Sequence, residues 1–170
     1  MTHAIHALLG ALALTIAHVP QDPTPAMQAA IARFASAVQA TGLSYEKSSS
    51  GRSYVVQFDH RGRRRAVYLG LRPNDTSGLL VHSIYTVVWS GAQAPDAATM
   101  RKVFTTHRKL GAYYLYQDAK GPCEVRFAAW FDATDLGPET KAGDATAKRL
   151  RTLIEFVDSV GAETAQELAK

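Results

Sequence analysis

The fold turns on Ser53-Tyr54-Val55-Val56-Gln57-Phe58-Asp59-His60-Arg61-Gly62-Arg63-Arg64-Arg65-Ala66-Val67-Tyr68-Leu69-Gly70-Leu71. Before its midpoint, Tyr54, Val56 and Phe58 share one face of an extended chain, and Val55 and Gln57 take the other. After it, Val67, Leu69 and Leu71 share a face. Between the two runs, His60-Arg61-Gly62-Arg63 reads as a hairpin turn, with Gly62 at a positive φ. Alternating runs joined by so short a turn pair antiparallel, since a parallel pair needs a long crossover.

The same reading extends in both directions. Upstream, Leu43 to Ser48 is a short alternating strand, and Ser49-Ser50-Gly51 turns it into the hairpin. Before that, Met27, Ile31, Phe34 and Val38 recur at helical spacing from Pro25 to Ala40. Thr24 caps this helix, Pro25 suits its first position, and Gly42 suits the residue past its end. Downstream, Arg72 to Gly78 is a loop. Leu79 to Trp89 is a long strand rich in β-branched and aromatic residues. Asp96 to Leu110 returns to helical spacing through Met100, Val103, Phe104 and His107, between Pro95 and Gly111. Ala112 to Gln117 is a Tyr-rich strand. After a Gly121-Pro122 turn, Cys123 to Phe131 alternates, with Glu124 and Arg126 on the polar side. A polar loop from Asp132 to Gly143 leads to a last helix with the stripe Leu150, Leu153, Ile154, Val157 and Val160. Gly161 ends or bends it, and Ala162 to Lys170 is expected to continue as a fraying tail. The order is helix, four strands, helix, two strands, helix. We expect one α+β domain over residues 26–170, with a mostly antiparallel sheet and its helices on one face.

The chain has 170 residues, a net charge of +4, 46% hydrophobic and 20% charged residues. Such values exclude disordered, collagenous and coiled-coil chains. One Cys excludes a disulfide framework within the chain and a Cys-cluster metal site. The charge is unevenly spread. From Lys47 to Arg72 there are seven basic residues and one acid, Asp59; from Leu110 onward there are seven basic residues against ten acids.

Residues 7–17, Ala-Leu-Leu-Gly-Ala-Leu-Ala-Leu-Thr-Ile-Ala, are apolar and uncharged. As a helix they span about 16 Å, against about 30 Å for a hydrocarbon core. They match the h-region of a secretory signal peptide, with Thr15-Ile16-Ala17 as a small-x-Ala cleavage site. The n-region carries His3 and His6 but no Lys or Arg. A buried N-terminal helix is the alternative. The expectation is a signal peptide over 1–17, an extended Pro-rich leader over 18–25, and a periplasmic or secreted product without a transmembrane segment.

The basic hairpin tip, Arg61, Arg63, Arg64 and Arg65, is a candidate contact for an acidic partner. Its alternative is a solvated tip whose charges guard a sheet edge. No base-reading motif accompanies the charge, so nucleic acid is not expected as a partner. His60, His82 and His107 fall on a turn, a strand and a helix without ligand spacing. Cys123 opens an apolar strand face, where a small buried thiol fits as well as a nucleophile. Neither a nucleophile elbow, a Walker loop nor a zinc-protease motif is present. No catalytic residue, metal or cofactor is therefore expected. Tyr114 and Tyr116 share one strand face and Tyr113 takes the other, so both faces of that strand are partly aromatic. One set must meet the helices. The other needs a cover, either a partner or a second core filled by Trp130.

Four segments carry a resemblance: Leu43-Ser44-Tyr45-Glu46 after the first helix; the hairpin Tyr54-Val55-Val56-Gln57-Phe58 to Ala66-Val67-Tyr68-Leu69; Arg101 to Tyr114, with Lys109-Leu110-Gly111-Ala112; and the final helix. Together they resemble the YbjN domain family and the wider type III secretion chaperone-like fold, over roughly Met27 to Val160. The resemblance implies a small binding domain, often dimeric, without a catalytic centre. In secretion chaperones the sheet and helices bind extended client segments. The expected function is a non-enzymatic, exported, chaperone-like module for a protein or peptide partner or for a second copy. Its contacts would be Arg61, Arg63, Arg64, Arg65, Tyr114, Tyr116 and Trp130. The alternative is a small-molecule or lipid-binding pocket protein of the cell envelope.

Overall fold

Thr24 sets the first helix. Its hydroxyl accepts the Met27 amide hydrogen at 3.3 Å, Pro25 follows, and α1 runs from Pro25 to Ala40. The computed structural model describes residues 24–60, 62–73, 80–105, 110–117, 121–132 and 144–168. The expected signal peptide and most of the expected leader lie outside these residues, as do Arg61, His107 and residues 133–143.

After α1 come β1 (Tyr45–Lys47), β2 (Ser53–His60), β3 (Arg63–Pro73) and β4 (Leu80–Gly91). Then follow α2 (Ala97–Phe104), β5 (Ala112–Gln117), β6 (Cys123–Asp132) and α3 (Asp144–Leu168). The strands form one sheet in the order β1-β2-β3-β4-β6-β5, and every neighbouring pair is antiparallel. His60 pairs with Arg63 across a two-residue turn in which Gly62 has φ 81°. The chain leaves β4, passes through α2 and lands as β5 at the far edge. It then turns back as β6 into the place beside β4.

The faces follow the alternation. Tyr54, Val56, Val67, Leu69, Ile84, Phe127 and Phe131 are buried on the side that carries the helices. Leu150, Ile154 and Val157 of α3 close over them, and Phe34 of α1 meets Tyr54 edge-on at 5.4 Å. Val103 of α2 joins the same cluster. Among the described residues no helix lies on the opposite face. The α+β layer expectation holds, helix and strand order included.

Three elements differ from expectation. The second helix stops at Phe104, where Thr105 turns its hydroxyl back onto the Arg101 carbonyl at 2.7 Å. At β4 the register shifts between Val87 and Trp89, a bulge that brings Trp89 opposite the buried Val125 and packs it against the core. Beyond Gly161 the last helix does not fray. It continues to Leu168, Thr164 is buried, and its hydroxyl meets the Tyr113 hydroxyl at 2.7 Å. Gly161 is instead a point of close approach. A Cβ there would lie 2.4 Å from both the Arg65 guanidinium and the Thr86 methyl.

Candidate functional site

Register decides which side chains share the helix-free face. Tyr68 pairs with Tyr85 and Arg126 with Tyr114, and Arg126 sits diagonally from Tyr85, since Tyr85 pairs with Ala128 and Val87 with Arg126. Tyr68 and Tyr85 stack at 5.0 Å with planes 17° apart. The Arg126 guanidinium lies 4.5 Å from the Tyr85 ring centre and 3.5 Å from that of Tyr116. Both are within cation–π range. Glu124 completes the row, accepting from Arg126 Nε at 2.7 Å and lying 2.7 Å from its terminal nitrogen.

This ladder is largely self-satisfied. Arg126 is only 8% exposed, although it stands on the face without helices. Burial works against its charge, and hydrogen bonds with Glu124 and Tyr114 outweigh that, so the guanidinium sits above its ordinary range. Burial pushes the Tyr85 hydroxyl up, and Arg126 opposes that only in part. Tyr114 and Tyr116 thus keep their expected face. Their cover is an arginine rather than Trp130. Trp130 remains 57% exposed and does not fill a second core.

The basic tip divides. Arg63 and Arg64 are exposed, with Asp59 across from Arg64. Arg65 is a correction to the expected contact set. It pairs with Phe58 on the helix face, and its side chain, 14% exposed, points at α3. Its terminal nitrogen donates to Thr86 Oγ1 and to the Val87 carbonyl, each at 3.4 Å. Its Nε stands 3.8 Å from Asp158 Oδ1, a charge contact too long for a hydrogen bond. Burial lowers the Arg65 pKa, and Asp158 works the other way. His60 Nε2 donates to Asp158 Oδ2 at 2.5 Å. Asp158 was not singled out in sequence because its two partners lie on the distant hairpin.

The sheet edge at β5 is where apolar surface collects. Among the described residues, the exposed large apolar ones are Phe104 (43%), Leu110 (60%), Leu115 (42%) and Trp130 (57%). Leu115 is on β5, and Leu110 precedes it by two positions. Phe104 lies 6.4 Å ring to ring from Tyr113 of β5. Trp130 belongs to the part of β6 that extends past Ala128, the partner of the first β5 residue. Beside the start of β5, a groove of about 530 Å³ opens between β6 and α3. Leu110, Trp130 and Phe131 line one side of it, and the α3 face through Ala145, Lys148, Thr152 and Phe156 lines the other.

Among the described residues no cluster of His, Cys, Asp and Glu could hold a metal ion, and no helix is long and apolar enough to cross a membrane. Cys123 is buried. Sequence reasoning missed Tyr68, Tyr85 and Arg126, although the Glu124–Arg126 spacing already put an acid and a base on one strand face. Comparison with family models and with curated proteins returns no match for this chain.

Proposed function

We propose that this chain is a non-enzymatic binding module of the YbjN, secretion-chaperone-like type, exported to the periplasm. In this reading it holds an extended segment of a client protein by adding it as a strand beside β5. The gathering of four exposed apolar side chains around one sheet edge carries the reading. A strand edge offers unpaired N–H and C=O groups, and soluble proteins usually blunt such edges with charge or proline. Ala112 to Gln117 carries neither. Strand addition draws affinity from those main-chain groups and selectivity from the flanking side chains. Leu115 and Phe104 would meet apolar client residues on one side of the added strand, and Tyr114 and Tyr116 would border it on the other. Arg63 and Arg64 would favour an acidic client.

A photoreactive side chain at Gln117, activated in intact cells, tests this. Adducts to a segment of another protein, lost in Leu115→Lys while the folded state persists, are the expected result. Adducts only between copies of this chain would replace the client by self-pairing. Adducts unaffected by Leu115→Lys would overturn docking at this edge. The export part is tested separately, by mass spectrometry of the N-terminus of the protein recovered from cells; a retained Met1 or Thr2 would end it.

A further inference from the structure

We propose that the strand docked beside β5 carries an aromatic side chain directly opposite Tyr116; this inference rests on the strand-addition reading above. The planar groups of the helix-free face form an unfinished stack. Tyr68 lies against Tyr85, with ring centres 5.0 Å apart and planes 17° apart. Beyond Tyr85 comes the Arg126 guanidinium, 4.5 Å from its ring centre, and beyond Arg126 comes Tyr116 at 3.5 Å. Two rings therefore flank one cation. Tyr85 has a second ring behind it. Tyr116, on the edge strand, has none among the described residues.

Register gives the missing position. Tyr68 and Tyr85 are directly paired across β3 and β4. Directly opposed residues on neighbouring strands stand about 4.5–5.5 Å apart and point to the same face, which is the spacing of that ring pair. A strand added beside β5 places one residue in the relation to Tyr116 that Tyr68 holds to Tyr85. The chain neighbours of that residue point to the other face, where one of them meets the exposed Leu115. The segment recognised is thus an aromatic residue next to an apolar one.

Electrostatics choose a ring over a cation at this position. Arg126 already draws on the π-electrons of Tyr116 from one side. A second cation on the other side would compete for the same electrons. An aromatic group does not, and paired rings contribute beyond the area they bury. A saturated side chain of the same size buries similar area without that contribution.

Fluorescence anisotropy with labelled peptides tests this on the folded protein. The peptides alternate leucine with threonine, and the central threonine is replaced by phenylalanine in one and by cyclohexylalanine in the other. The phenylalanine peptide is expected to bind about fivefold tighter, although cyclohexylalanine is the more hydrophobic. Tyr116→Leu should equalise the two, and Tyr116→Phe, which keeps the ring, should preserve the preference. Leu115→Lys should weaken both alike. Equal affinities on the natural chain would overturn the aromatic inference and leave strand addition standing, as would a preference that survives Tyr116→Leu. Failure of both peptides to bind would overturn strand addition itself, and this inference with it. The comparison on the natural chain decides the matter even where Tyr116→Leu does not fold.

Discussion

Asp158 is separated by 98 positions from His60, yet it ties the hairpin tip to the last helix. It also supplies the counter-charge for Arg65, which lies largely inside the protein. Removing it leaves that guanidinium without its acid, and uncompensated buried charge is the expensive case. Asp158→Ala should therefore lower unfolding stability by about 3 kcal/mol in urea denaturation. Asp158→Asn, which keeps a hydrogen-bond acceptor for His60, should cost less. An equal loss in the two variants would mean that the charge is irrelevant. One turn further along α3, Gly161 gives a test of opposite sign. On an open helix, Gly→Ala stabilises by about 1 kcal/mol. Here the new methyl meets Arg65 and Thr86 at 2.4 Å. Gly161→Ala should cost about 1–3 kcal/mol through overpacking, and a stabilised variant would show that Arg65 is free to move aside.

At the scale of elements, legibility followed locality. The first helix was readable to the residue, because Thr24, Pro25 and the apolar stripe all act within a few positions of one another. The β2–β3 hairpin was readable for the same reason. The extension of α3 past Gly161 was not. Local rules read that glycine as a stop or a bend and the chain beyond it as a fraying tail, whereas the space it leaves is taken by an arginine from β3. The aromatic–arginine ladder was equally hidden. Its rings come from β3, β4 and β5, and they meet Arg126 only because β6 returns between β4 and β5. Sequence order alone does not contain that exchange. The hairpin turn isolates one backbone effect for measurement. Gly62 has φ 81°, and a Cβ there would have nothing within 4 Å. Gly62→Ala should thus cost about 1 kcal/mol from backbone strain alone. Gly62→Asn should cost less, since asparagine tolerates this conformation. Equal stability of all three proteins would mean that the turn relaxes into another shape.

Across the whole molecule, the sheet separates two kinds of stability. One face is closed by helices and apolar packing. The other is closed by Tyr68, Tyr85, Tyr116 and the Arg126–Glu124 pair. Both faces hold a tyrosine whose hydroxyl is shifted. Burial raises Tyr54 on the helix face, with Tyr45 adding to it, and burial raises Tyr85 on the open face despite Arg126. The ordinary tyrosine value is 10.0. With the folded values above it, the unfolded chain loses these protons first as pH rises. The stabilisation is therefore fully present below about pH 10 and is lost as pH climbs through the folded values. Unfolding free energy should stay level with respect to these groups through neutral pH and fall above about pH 10. Tyr85→Phe should flatten part of that fall, and Tyr54→Phe should flatten another part. The two effects should add, since the rings lie on opposite faces of the sheet. Denaturant titrations of the natural chain and both variants, at pH values on either side of 10, give the comparison. A fall of the same steepness in all three proteins would assign the alkaline loss to groups other than these two tyrosines.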